Sequence, residues 1–323
     1  MIFLVTGGSG YIGSSCVKEL LNQGHTVIAT CRSQEKANLI SSFWHKKNLN
    51  IDNLNWEIID LKQTVGWHEI IKQCDFILHL ASPVLTDPKI PLSEIVQPAI
   101  IGLNNIFMAT KGTNVRKIVL TSSSTTINCM DNVKNFNHES WSNLADPNSG
   151  AYAFSKTYTE MLAWNLKALN PWLPELTSIL PAFVIGAPAC PNPNSFSINI
   201  IKKIMSGSLP KSMYNCKFHF ISLSDTTKIH IAAATNNISN SKRYLCSTAK
   251  PISLKQIKIW LDEAGLTKNC FNWRYTPLPK KYYKYLASDV LFDCSETYKD
   301  FNWQPSSIKQ EIIEMALTLD IFD

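Results

Sequence analysis

MIFLVTGGSGYIG, residues 1–13, is the stretch whose reading decides the fold. Ile2 to Val5 is a short apolar run with two β-branched residues, and it reads as a buried strand. Gly7, Gly10 and Gly13 follow, and then a helical pattern carries Val17, Leu20 and Leu21. Strand, glycine turn and helix start together are what a pyrophosphate site requires. Glycines let the backbone approach the phosphates, and a helix N-terminus offers unpaired N–H groups and partial positive charge. The spacing is GxxGxxG rather than the commoner GxGxxG.

Working outward, strands and helices alternate. Thr26–Cys31, Trp56–Ile59, Asp75–Leu80, Lys117–Leu120 and Leu176–Leu180 read as strands. Helical spacing fills Gln34–Asn48, Gln63–Gln73, Ser93–Lys111 and Ala151–Leu169. This order predicts an α/β fold, a doubly wound parallel sheet whose strands present their carboxyl ends to a ligand crevice. Arg32, Asp60, Ala81 and the serines of TSSS at 121–124 fall at those ends. Beyond Pro181 the pattern loosens into a smaller mixed lobe. The expected division is 1–180 for the nucleotide half, with segments returning near 215–250, and 181–323 mainly for substrate.

Composition narrows the function. At 323 residues and 45% hydrophobic, the chain can bury a large core. No apolar run reaches the ~18 residues of a membrane helix, and no basic n-region or cleavage site precedes the first strand. A cytoplasmic protein with no membrane partner is expected. The nine cysteines are scattered without a CxxC pair, which favours reduced buried thiols over a disulfide framework or metal site. A net charge of +6 from dispersed lysines gives no nucleic-acid surface, while favouring an anionic cofactor.

Three residue types carry the chemistry. Tyr152 and Lys156 in YAFSK lie at i and i+4 of a helix and share a face. An ammonium near a phenol is expected to lower its pKa. Ser123, 29 residues earlier, lies where it can hydrogen-bond and polarise a substrate carbonyl. Arg32 stands where a carboxylate usually meets a ribose 2′-hydroxyl; an arginine there suits a 2′-phosphate, with Lys36 as helper.

With these motifs the chain resembles an extended short-chain dehydrogenase/reductase of the NAD-dependent epimerase/dehydratase superfamily, in the dihydroflavonol-4-reductase-like and aldehyde/ketone reductase branch. TGGSGYIG at 6–13, HLASP at 79–83, TSSS at 121–124, YAFSK at 152–156 and PAFVIGAP at 181–188 carry the likeness. ISLSDTTKIHIAA at 221–233 is a weaker match.

The resemblance implies a Rossmann-type sheet and a role for each matching residue. Thr6, Gly7, Gly10, Tyr11, Ile12 and Gly13 would line the pyrophosphate. Asp60 and Leu61 would contact the adenine, and Leu80, Ala81 and Ser82 would flank the adenosine ribose and phosphates. Thr121 and Ser122 would sit under the nicotinamide ribose. Pro181, Phe183 and Val184 would hold its carboxamide by backbone groups. Ser123, Tyr152 and Lys156 would be catalytic, and no metal is implied.

The expected activity is NADPH-dependent reduction of an aldehyde or ketone, with NAD(H) as a possible substitute and a monomer or homodimer as the working form. The alternatives are an NAD-dependent sugar-nucleotide epimerase and a non-catalytic NADP-sensing protein. Ala99, where many members have Asn, and the missing acid after Ser123 fit the reductase branch. His79 and His230 read as structural or supporting. The pocket is expected from the loop after Ser82, the stretch 125–141 and the segment 187–214.

Overall fold

The computed structural model describes residues 1–82, 92–127, 135–146, 150–193, 195–210, 213, 215–267 and 290–322. The chain opens as expected, with β1 (Ile2–Thr6), α1 (Tyr11–Asn22), β2 (Thr26–Cys31), α2 (Gln34–Lys46), β3 (Leu54–Ile58), α3 (Trp67–Ile71) and β4 (Phe76–His79). Then come α4 (Leu92–Ala109), β5 (Lys117–Thr121), the two-residue β6 (Asn135–Phe136), α5 (Gly150–Leu169), β7 (Glu175–Pro181) and β8 (Phe183–Ile185). The remainder includes α6 (Phe196–Met205), β9 (Lys217–Phe218), β10 (Phe220–Ser222), α7 (Leu223–Thr235), β11 (Lys242–Cys246) and three later helices, Leu254–Glu263, Ser295–Phe301 and Ile308–Phe322.

Seven strands form one sheet in the order β11-β7-β5-β4-β1-β2-β3, and every pairing in it is parallel. The order reverses between β1 and β4, which opens the crevice where such sheets bind ligands. β11, from late in the chain, forms one edge of this sheet.

Side chains alternate between two cores because a strand has a period of two. Phe3 and Val5 enter the core that holds Val17, Ile40 and Ile229, under α1, α2 and α7. Leu4 enters the opposite core with Trp67, Leu103 and Ala163, under α3, α4 and α5. The same split runs through β5: Val119 faces α7, while Ile118 and Leu120 face α4 and α5.

One element is shorter than its periodicity suggests. The helix expected over Gln63–Gln73 spans only Trp67–Ile71, because Gly66 takes φ +100° and starts it late. In the later lobe β9 and β10 are two short strands, and Ser222 caps α7 by accepting the Asp225 N–H at 2.8 Å. All seven cysteines among the described residues are buried and unpaired; Cys129 and Cys270 lie outside them. Among the described residues no helix is long and apolar enough to cross a membrane.

The first turn is closed by contact rather than by glycine flexibility alone. Gly7 has φ +67°, and the Gly10 N–H donates to its carbonyl at 2.8 Å. A Cβ on Gly13 would fall 2.1 Å from that carbonyl oxygen, whereas one on Gly10 would stay 3.1 Å away. Gly13→Ala is therefore expected to lose about 1–3 kcal/mol in urea unfolding and Gly10→Ala distinctly less. Equal losses at the two positions would refute this account of the turn.

Candidate active site

The parallel sheet gathers the candidate residues at its carboxyl edge. Between β1 and α1, the backbone of Gly7 to Gly13 forms a cradle beside β4, where a Cβ on Gly7 would press 3.0 Å from the Ala81 Cα. The first N–H groups of α1 have no partner within the helix and face this turn. These features fit a pyrophosphate. Arg32 is exposed immediately after β2, and Lys36 is exposed in the first turn of α2, whose cap is Ser33. The pair is placed to meet further negative charge.

Several side chains assigned to the cofactor are turned inward instead. The Thr6 hydroxyl accepts the Ala81 N–H at 3.1 Å and lies 2.9 Å from His79 Nδ1, so it ties β1 to β4. Burial, with the Lys156 charge adding to it, holds the His79 pKa down at about 3, so the ring is neutral. Tyr11 is buried, and its hydroxyl donates to the Gly186 carbonyl at 2.6 Å. Only the backbone at Thr6 and Tyr11 is left for phosphates, while Ile12 stays partly exposed. Asp60 accepts the Lys62 N–H at 2.8 Å, and the Leu61 carbonyl accepts from Asn105 at 2.7 Å. Leu80, Ala81 and Ser82 are partly exposed at the end of β4.

The end of β5 shows why Thr121 and Ser122 do not present hydroxyls to a ribose. Alternation sends Thr121 toward α7, where its hydroxyl lies 2.8 Å from His230 Nε2. The His230 Nδ1–H donates to the Thr226 carbonyl at 2.7 Å, so Nε2 accepts and Thr121 donates. Ser122 points to the opposite face and donates to Glu160 on α5 at 2.5 Å. Both hydroxyls are spent on the layers that flank the sheet.

Ser123, two residues beyond β5, is extended, caps the short turn Ser124–Thr126, and lies beside the Tyr152 phenol, where it stabilises the ionised form. Lys156, one helical turn beyond Tyr152, is directed inward and donates to the Thr121 carbonyl at 3.0 Å. Burial lowers its pKa to about 8, with the Glu160 charge resisting the fall. The expectation of an acidified phenol is reversed: burial pushes Tyr152 above its ordinary 10.0, and only the Ser123 hydrogen bond opposes this. A small cavity beside Lys156 is lined by His79, Ala99, Thr121, Ser122 and Glu160.

At β8 the three carboxamide candidates separate. Pro181 has no N–H, and the Phe183 N–H is taken by the His219 carbonyl at 3.0 Å. Alternation turns the N–H of Val184 away from β10, so Val184 alone can offer one. Two of the expected pocket segments, after Ser82 and within 125–141, run through 83–91 and 128–134, outside the described residues, as do 194, 211–212 and 214 of the third.

Glu160, Arg243 and Trp141 complete the arrangement without having been singled out as site residues from sequence. Glu160 extends the Tyr152–Lys156 face by one more turn, and that i, i+4, i+8 spacing was a readable signal. Arg243 was not readable, since its strand is distant in sequence and only folding brings β11 to the site.

With the geometry in place, comparison with known proteins defines the class. The NAD dependent epimerase/dehydratase family matches residues 3–246. The chain belongs to this family and is an NAD(P)-dependent oxidoreductase. Tetraketide alpha-pyrone reductase 1 of Arabidopsis thaliana is 28% identical over 90% of this chain and 87% of its own. A Vitis vinifera anthocyanidin reductase is 30% identical over 76% of this chain and 75% of its own. Among solved structures, yeast methylglyoxal/isovaleraldehyde reductase Gre2 complexed with NADPH superposes with TM-score 0.81 at 24% identity, covering 100% of this chain and 99% of that one. The dihydroflavonol-4-reductase-like resemblance and the Rossmann-type fold are thus borne out.

The two buried histidines make a pH prediction. His230 is held near pKa 4 and His79 near 3, both by burial, against 6.5 when unfolded. The unfolded chain therefore binds more protons below 6.5, so stability is full above that pH and falls as pH drops toward 4. Each histidine contributes at most about 1.4 kcal/mol per pH unit. Urea unfolding between pH 7.5 and 5 should show this slope, and His230→Asn should flatten it.

Proposed function

We propose that this protein reduces an aldehyde or ketone with NADPH, using Ser123, Tyr152 and Lys156. The single observation that carries the reading is the meeting of Ser123 and Tyr152 at the sheet edge, with the Lys156 ammonium one turn away and turned inward. A bound dihydronicotinamide supplies the hydride. Ser123 orients the carbonyl oxygen, and Tyr152 gives that oxygen its proton as the new C–H bond forms, leaving an alcohol. A phenol held protonated by burial suits a proton donor. Lys156, anchored on Thr121, holds the nicotinamide ribose and supports the proton's replacement. Val184 offers its N–H to the carboxamide, and Gly7, Gly10 and Gly13 admit the pyrophosphate.

Arg32 and Lys36 carry the preference for NADPH through the 2′-phosphate. The relatives support it: a Candida albicans protein, 28% identical, is named a putative NADPH-dependent methylglyoxal reductase, and the yeast structure holds NADPH. Residues 1–180, with returning segments near 215–250, serve the cofactor, and 181–323 mainly the substrate.

A screen of NADPH oxidation over aldehydes, diketones and aromatic ketones tests the reading. Activity is expected, and Tyr152→Phe should lower kcat by about 10²–10⁴ without loss of NADPH binding. An inert wild type, or an unimpaired Tyr152→Phe, would overturn it. Arg32→Ala should raise KM for NADPH by about tenfold or more while leaving KM for NADH nearly unchanged.

A further inference from the structure

Behind the candidate triad lies a buried ion pair that nothing in the proposed reaction uses. Glu160 is 1% exposed and Arg243 is 9% exposed. The Arg243 Nε donates to Glu160 Oε1 at 2.8 Å, and Nη2 reaches Oε2 at 3.3 Å. Ser122 donates to the same Oε2, and Trp164 Nε1 lies 3.5 Å from Oε1. The other side of the guanidinium donates to the His138 carbonyl and, at 2.9 Å, to the Ser140 carbonyl. It also reaches Thr126 Oγ1 at 3.3 Å and lies 3.5 Å over the Trp141 ring. Thr126 in turn donates to the Ser123 carbonyl at 2.9 Å.

We propose that Glu160 and Arg243 are positioning residues of the reductase site. They grip the segment 122–126 from both ends, fix the stretch 138–142 against it, and set a carboxylate opposite the Lys156 ammonium. A buried pair is a poor device for stability, since apolar residues of similar volume often serve as well or better. Its value here is where the charge stands. Ser123 lies between the two gripped residues, Ser122 and Thr126. Among the described residues, Glu160 on its own helix and His79 from β4 line the same small cavity as Lys156, Tyr152 stands one turn before it, and Arg243 from β11 holds Glu160. His79 is neutral, so Glu160 is the negative charge that keeps Lys156 protonated up to about pH 8.

This rests on the reductase reading, in which Lys156 holds the cofactor, and its test uses binding as well as turnover. NADPH affinity of the whole protein is followed by nucleotide fluorescence from pH 6 to 10. Wild type should bind less tightly above about pH 8, and Lys156→Met should lose that limb. Glu160→Gln should move the limb down by about one pH unit. Arg243→Lys keeps both charges and loses the fork, so it should leave the limb in place while lowering kcat about tenfold. An unmoved limb in Glu160→Gln overturns the proposal whatever happens to the rate. Should Glu160→Gln not fold, the double variant Glu160→Gln/Arg243→Met removes both charges together, and a downward shift is still required of it, smaller because the guanidinium's repulsion of Lys156 is lost too. Absence of turnover in wild type would count against the reductase reading alone, because the binding profile still decides the role of Glu160.

Discussion

The architecture depends on the two-residue period of β5 continuing past the end of its hydrogen-bonded ladder. Val119 and Thr121 look to one layer, and Leu120 and Ser122 to the other. Each polar residue at the tip finds a buried partner on its own side, His230 on α7 or Glu160 on α5. A strand tip held from both faces cannot twist, so Ser123 emerges in a fixed direction. The Thr121 carbonyl, fixed by the same constraint, anchors Lys156.

Burial governs the acid–base character of the region. It raises Tyr152, lowers Lys156, and keeps His79 and His230 neutral. The i, i+4 spacing of Tyr152 and Lys156 suggested that charge would dominate. The lysine instead spends its ammonium on a carbonyl, and desolvation decides the phenol. In a dry site the loss of hydration outweighs an opposing charge unless that charge is in direct contact.

Most of the sheet was legible because it rests on local signals: glycine spacing at 7–13, alternating apolar runs, and short connections. The candidate triad was legible for the same reason, since Ser123 ends a strand and Tyr152 and Lys156 share a helix face. What could not be read was the direction of hydroxyls and rings. Thr6, Tyr11, Thr121 and Ser122 match the motifs in type, yet their side chains serve the scaffold. That outcome depends on His79, Gly186, His230 and Glu160, and three of these lie more than seventy residues from their partners. Arg243 illustrates the limit, being an arginine in a short strand whose site contacts exist only once β11 has joined the sheet.

The Tyr11 hydroxyl on Gly186 and the Trp44 indole on Ala189 bind the opening helices to a loop some 145 to 175 residues downstream. Stitching of this kind makes the two halves of the chain poor candidates for exchange between relatives. A graft that replaced the later half to import a new pocket would keep both contacts only if its loop set main-chain carbonyls where those of Gly186 and Ala189 now stand. Recombination designs on this scaffold should place the crossover after that loop, not at the boundary of the regular βα repeats.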